Sequence, residues 1–128
     1  MKLCIIIPAC NEEKRIGRTL KEYCRFFSKK LKSDFEIIVV INNTNDRTEE
    51  IVKNHRKKCR ELKYLNLKQG GKGFAVIQGF KEALKKDFDL IGFVDADMAT
   101  PPRSFYDLIE NIKDYDGVIA SRYILGVL

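Results

Sequence analysis

Short apolar runs alternate along this chain with longer stretches in which apolar residues return every third or fourth position. The runs at 3–7, 37–41, 62–67, 90–94 and 118–120 predict strands. The second is apolar throughout, as a parallel strand covered on both faces requires. Four helices are predicted between them. The first places Ile16, Leu20, Cys24, Phe27 and Leu31 on one stripe. The second opens at Asp46-Arg47-Thr48-Glu49, a capping-box-like start, and turns Ile51, Val52, His55 and Cys59 inward. The third turns Val76, Ile77, Phe80 and Leu84 inward. The fourth begins with Thr100 as cap and Pro101 in the first turn, with Phe105, Leu108, Ile109 and Ile112 on its buried side. Strand and helix alternate through the whole length. The pattern therefore predicts one α/β domain over 1–128, Rossmann-like, with a mostly parallel sheet and helices on both faces.

Against this regular background the unusual residues fall in five places, each just after a predicted strand. They are Pro8-Ala9-Cys10-Asn11-Glu12, Asn42 to Asp46, Lys68-Gln69-Gly70-Gly71-Lys72-Gly73, Asp95-Ala96-Asp97, and Ser121-Arg122-Tyr123. In open parallel sheets the carboxyl ends of the strands form the ligand-binding edge. Purely structural loops have no reason to collect there.

Composition narrows the chemistry. With 45% hydrophobic and 33% charged residues the chain has the balance of a folded globular protein. No apolar run approaches the roughly 20 residues of a membrane span. The N-terminal run is short and cut by Pro8, unlike a signal peptide, so a cytoplasmic location is expected, or one peripheral to the cytoplasmic face of a membrane. The four cysteines, Cys4, Cys10, Cys24 and Cys59, form no C-x-x-C pair, and His55 is the single histidine; free thiols and no zinc site are expected. A bound metal would have oxygen ligands, which indicates Mg2+ or Mn2+. The net charge of +6 gathers at 14–32 and 53–60. It reads either as a surface for phosphorylated ligands or an anionic membrane, or as the solvated exterior of two helices. No interleaving of aromatic and basic residues indicates nucleic acid.

Each motif has a plain structural reading beside its functional one. Asp95 and Asp97, at alternate positions where a buried strand ends, would repel unless a cation joined them; the plain reading is a turn and a helix cap. A divalent ion there would bridge to a diphosphate and act as a Lewis acid. Gly70-Gly71-Lys72-Gly73 would let backbone amides at a helix start approach phosphate, or be a flexible turn. It fits neither a Walker A loop nor a dinucleotide fingerprint, since Asn66 and Val76 stand where glycines belong. Asn11 and Glu12 serve equally as a helix start or as ligands of a nucleoside, and Glu13 and Asp46 are sufficiently explained by helix starts. Arg122 would meet a phosphate or pair with an acid. His55 is expected on a helix without a catalytic role.

Taken in order, I-I-I-P-A-C-N-E-E at 5–13, I-I-V-V-I-N-N-T-N-D-R-T at 37–48, G-G-K-G-F-A-V at 70–76, G-F-V-D-A-D-M-A-T-P-P at 92–102 and A-S-R-Y at 120–123 resemble glycosyltransferase family 2. These are inverting enzymes with the GT-A fold, and within them the chain is most similar to the dolichyl- or polyprenyl-phosphate sugar transferases. The resemblance implies that Pro8, Ala9, Asn11 and Glu12 line a nucleoside pocket and that Asn42 reaches the base. Lys72 would lie beside the nucleotide. Asp95, Ala96 and Asp97 would hold ribose, diphosphate and Mg2+ or Mn2+, the metal through Asp95 and Asp97, and Arg122 would face phosphates or acceptor. The implied reaction moves a hexose from a UDP- or GDP-sugar to a polyprenyl phosphate, with Asp95, Asp97 and Arg122 as its catalytic residues.

The sequence departs from the family pattern twice. Ile41-Asn42-Asn43-Thr44 replaces the usual D-D-G-S, and the chain stops soon after the fifth predicted strand, where family members continue with acceptor-binding elements. The alternative expectation is thus a truncated, non-catalytic nucleotide-sugar-binding domain that works as a homodimer or with a partner chain. A nucleotidyltransferase fits less well, because its glycine-rich loop would occupy the place of Pro8-Ala9-Cys10-Asn11.

Overall fold

In the computed structural model, residues 1–111 are described in full and 118–120 and 125–127 as backbone strands. The elements in order are β1 (Leu3–Ala9), α1 (Ile16–Leu31), β2 (Phe35–Asn42), α2 (Thr48–Arg56), β3 (Leu62–Leu67), α3 (Lys72–Ala83), β4 (Leu90–Phe93), α4 (Pro102–Glu110), β5 (Val118–Ala120) and β6 (Leu125–Val127). Strands β3-β2-β1-β4 form a parallel sheet in that order. The predicted α/β architecture is present.

The centre of the sheet is its most apolar part. Every residue of β1 and β2 is buried, and their side chains divide by alternation between two cores. Leu3, Ile5, Ile7, Phe35, Ile37, Val39 and Ile41 meet Ile16, Leu20, Tyr23 and Phe27 of α1, Val52 of α2, and Phe105 and Ile109 of α4. Cys4, Ile6, Ile38 and Val40 face Ala75 and Ala83 of α3. Helices therefore cover both faces, three on one side and one on the other.

Four sequence expectations need correction. The third helix does not bury its large residues: Ala75, Gly79 and Ala83 face the sheet, whereas Ile77 is 55% and Leu84 71% exposed. Val76 is half-buried, and Phe80 packs at the margin of the second core. Small residues at four-residue spacing let the helix backbone lie close on β1, and at that distance a larger apolar face does not fit. The fourth helix starts one residue later than expected. Pro101 is extended (φ −63, ψ 156), Pro102 is the first helical residue, and no side chain caps the helix. The run at 118–120 is not a fifth parallel strand, because β5 pairs antiparallel with β6 in a separate two-stranded sheet. A three-residue apolar run carries no information on which partner it takes. Lastly, Asn11 is no N-cap; α1 begins at Ile16, whose amide bonds the Glu12 carbonyl at 2.8 Å. Ile112 lies outside the described residues.

His55 lies on α2, half-buried, with its Nε2 close to Gly17 of α1. Burial, with Lys58 and Lys21 nearby, holds its pKa below the ordinary imidazole value. The unfolded chain then takes up this proton first, so acid favours unfolding and stability rises with pH across the window below the ordinary value. Urea midpoints at pH 7.5 and 5.5 should therefore differ more in the native chain than in His55→Gln; equal differences would exclude this assignment.

Candidate active site

The sheet order reverses beside β1: β2 and β3 lie to one side and β4 to the other. A crevice at the carboxyl ends of the strands is expected between β1 and β4, and Pro8 helps open it. Ile6 accepts the Val94 amide at 2.9 Å, so the polar groups of Ile6, and two residues on those of Pro8, point toward β4. Proline has no N–H to offer the next carbonyl. The β1–β4 register ends at Ile6 and Phe93, while β1 stays paired with β2 to Ala9.

Into this opening comes the segment after β4, held by α1. Thr19 Oγ1 donates to the Ala96 carbonyl at 2.6 Å, and Tyr23 OH to the Thr100 carbonyl at 2.5 Å, both buried. Asp97 Oδ1 accepts the Ala99 amide at 2.9 Å across Met98, which has a φ of 64. These bonds leave Asp95 and Asp97 on the cleft wall with Ala96 buried between them. Asp95 Oδ1 is ion-paired with Lys72 Nζ.

The opposite wall is the glycine turn and the start of α3. Asn42 is buried, and its Nδ2 donates to the Gly71 carbonyl at 3.2 Å. Gly71 has a φ of 108, a conformation that favours glycine, and places Lys72 as the first residue of α3. No side chain caps this helix and no acid occupies its first turn. Its positive end thus opens on the cleft, suited to an anion. On the third wall Glu12 Oε1 pairs with Arg15 at 2.7 Å. Glu12 Oε2 is buried, and among the described residues it has no hydrogen-bond partner. An unpaired buried acceptor costs about 1–3 kcal/mol, so this oxygen is a ready partner for an incoming hydroxyl or N–H.

The resulting cleft of about 640 Å³ brings together Pro8, Ala9, Glu12, Asn42, Lys72, Asp95, Ala96 and Asp97. Asn11 is not on its wall. It has a φ of 51, its amide bonds Thr44 Oγ1 at 3.2 Å, and its Oδ1 accepts the Asn45 amide at 3.1 Å. Its work is to join the first and second loops. Arg122, with Ser121 and Tyr123, lies outside the described residues. Gly71, from the glycine-rich turn, and Cys10, from the cluster after β1, also line the cleft, as does Arg15, which no motif singles out. The sequence signal for Arg15 is its three-residue spacing from Glu12.

Asp46 precedes the N-cap of α2, which is Arg47 without a side-chain cap bond, rather than being the cap itself, but it ties the helix start to the first loop. It accepts the Thr48 amide at 2.9 Å, the Thr48 hydroxyl at 2.6 Å and the Glu13 amide at 3.2 Å. Burial pushes its pKa up, but these hydrogen bonds overcome that and hold the carboxyl below its ordinary value.

The thiols offer a probe of the cleft. Cys10 is exposed on its wall, Cys24 is half-buried, and Cys4 and Cys59 are buried. Burial and the neighbouring Glu36 push the Cys4 thiol up to about 12, which keeps it inert. A maleimide should label Cys10 first, and a ligand filling the cleft should slow that labelling at least severalfold; mass mapping that finds another cysteine modified first would contradict this geometry.

The sequence profile described as Glycosyl transferase family 2 matches residues 4–126. A dolichyl-phosphate beta-glucosyltransferase of Trichomonas vaginalis is 35% identical over 126 residues, covering 94% of this chain and 36% of the relative. A dolichol-phosphate mannosyltransferase of Pyrococcus furiosus is 35% identical over 127 residues, covering 98% of this chain and 34% of the relative. The chain thus spans about a third of these relatives' length. Among solved structures, S. aureus TarS 1–349 in complex with UDP superimposes with a TM-score of 0.72 at 28% identity, covering 90% of this chain and 33% of that one. The mannosyltransferase PcManGT from Pyrobaculum calidifontis, in complex with GDP-Man and Mn2+, shares the fold, with a TM-score of 0.74 at 18% identity over 88% of this chain and 32% of that one. By the extent of the profile match and the identity of its relatives, this chain belongs to glycosyltransferase family 2.

Proposed function

We propose that this chain is the donor-binding part of a metal-dependent inverting glycosyltransferase that moves a hexose from a UDP- or GDP-sugar to a polyprenyl phosphate. The observation that carries the reading is the meeting, in one cleft at the sheet's switch point, of Asp95 and Asp97 with Lys72 at the open end of α3. Two carboxylates on one wall, a cation and a helix N-terminus on the other, match the charge pattern of a diphosphate with its metal.

The donor groups suit Mg2+ or Mn2+. Among the described residues no three His, Cys, Asp or Glu side chains gather into a cage. Asp95 and Asp97 would instead supply one or two carboxylates, with phosphate oxygens completing the shell, the usual arrangement for these ions. A metal so held neutralises charge on the departing diphosphate. The chain's own residues have separate tasks in this reading. Pro8, Ala9, Glu12 and Asn42 seat the nucleoside, Glu12 through its unpartnered oxygen. Lys72 and the first amides of α3 hold phosphate. Asn42 stands where the family more often has an acid, and its amide is already committed to Gly71, leaving its oxygen for a base N–H. Arg122 would face the phosphates or the acceptor. Inversion requires attack from the side opposite the diphosphate. A lipid phosphate is already anionic at neutral pH, so no strong general base is required.

The acceptor class rests on the names of the relatives, which are dolichyl-phosphate or dolichol-phosphate transferases. Among the described residues no helix is long and apolar enough to cross a membrane.

The test is to incubate the protein with radiolabelled UDP-glucose or GDP-mannose, Mn2+ and a polyprenyl phosphate and to extract the lipid. A glycolipid formed only with Mn2+ supports the reading. Nucleotide-sugar binding without any product would reduce it to a donor-binding domain that depends on a partner chain or a second copy for its acceptor site. Neither binding nor product would remove it.

A further inference from the structure

Lys72 and Asp95 form an ion pair between two separate elements, the first turn of α3 and the segment after β4. The lysine side chain is 57% exposed and the aspartate side chain 23%. Asp95 therefore already has a counter-ion within the protein. Lys72 holds Oδ1 of Asp95, so a divalent cation that approaches this carboxylate competes with the ammonium for its negative charge even where it binds through the other oxygen. The lysine, in turn, needs another anion to leave for, and the phosphates of a nucleotide in the same cleft would provide one.

We propose that Lys72 is a counter-ion switch: it holds Asp95 in the ligand-free protein and transfers to the donor's diphosphate, so that metal and nucleotide bind cooperatively. This rests on the donor-site reading above and adds an order of dependence to it. A lysine suits the task. Its ammonium is a point charge on a flexible four-carbon stem, and it can exchange one anion for another without the fixed fork that arginine requires. The side chain is exposed enough to move. Coupling of this kind is reciprocal: whatever factor the nucleotide adds to metal affinity, the metal adds to nucleotide affinity. The pair also keeps Asp95 from drawing in a metal before a donor arrives.

Mn2+ binding to the purified protein, followed by the loss of the free-ion paramagnetic signal, tests this without any transfer assay. Native protein, Lys72→Met and Lys81→Met are compared, the last removing an exposed charge elsewhere on α3. Native protein should bind Mn2+ alone weakly and gain roughly 5- to 150-fold when UDP or GDP is added, after correction for the protein-free nucleotide complex. Lys72→Met should bind Mn2+ alone about fivefold more tightly or better, with a smaller gain on adding nucleotide, whereas Lys81→Met should match the native protein. If Lys72→Met binds Mn2+ alone no more tightly than Lys81→Met while native protein keeps its nucleotide-linked gain, the switch is wrong and the donor site stands. If native protein shows no nucleotide-linked Mn2+ binding, the donor-site reading fails and the switch falls with it.

Discussion

Gly79→Val is expected to lower the melting temperature by roughly 10 °C, from a destabilisation of about 3 kcal/mol. A Cβ at Gly79 would lie 2.5 Å from Ile6 Cγ2 and 3.2 Å from two other carbons of the same side chain. Ile6 is itself fully buried in the central strand, so it has no direction in which to yield. The helix would have to lift off β1, carrying Ala75 and Ala83 out of their contacts with the second core. Gly73→Ala is the matched control. It lies in the same helix, nothing surrounds it within 4 Å, and alanine favours the helix by up to about 1 kcal/mol. A Gly79→Val protein melting within about 2 °C of the native one, where 1 kcal/mol moves a domain of this size several degrees, would mean that α3 does not sit on β1 as described.

Asp97→Asn should remove the metal-dependent part of donor binding and leave the fold intact. The substitution keeps the size of the side chain and the oxygen that accepts the Ala99 amide at 2.9 Å, and it removes the charge. In the proposed function that charge is half of the protein's contribution to the metal. Its loss should cost at least about tenfold, or 1.4 kcal/mol, in affinity for UDP or GDP with Mn2+ present. Without Mn2+ the native and variant proteins should bind alike. Stabilisation of transition-state charge by a metal is worth several kcal/mol, so any transfer activity should fall by a factor of roughly a hundred or more. Calorimetric titration with and without Mn2+ separates the two arms. A variant that retains the full Mn2+-dependent affinity would remove Asp97 from the metal site.

Both substitutions also show what the sequence could and could not tell. The four main strands were legible because β1 and β2 are apolar beyond what any amphipathic helix shows, and the polar clusters that follow them are abrupt. Most of the cleft was legible for the same reason: Pro8, Ala9, Glu12, Asn42, Lys72 and the Asp95-Ala96-Asp97 segment all follow strands and meet where the sheet order reverses. The buried face of α3 was not. Ile77 and Leu84 are larger and more apolar than Ala75 and Gly79, and only the distance between helix and sheet decides that the small residues go inside. Asn11 misled in another way. Its composition fits a cap, but its side chain takes up the Asn45 amide of the neighbouring loop, a contact set by tertiary structure. The pairing of β5 with β6 is equally non-local. Most informative is Lys72. Its place beside the acidic segment could be inferred from the strand ends, but its partner could not, because residues 72 and 95 meet only once β1 and β4 are side by side.

Binding of a nucleoside diphosphate together with a divalent metal in this cleft can be read from thermal unfolding of the native protein with UDP, GDP and ADP, each with and without Mn2+. At ten times its dissociation constant a ligand adds roughly 1.4 kcal/mol of stability, a melting shift of about 5 °C for a domain of this size. Such a shift is expected with UDP or GDP and should be largely lost when Mn2+ is left out. No shift with any of the three nucleotides, metal present, would contradict it.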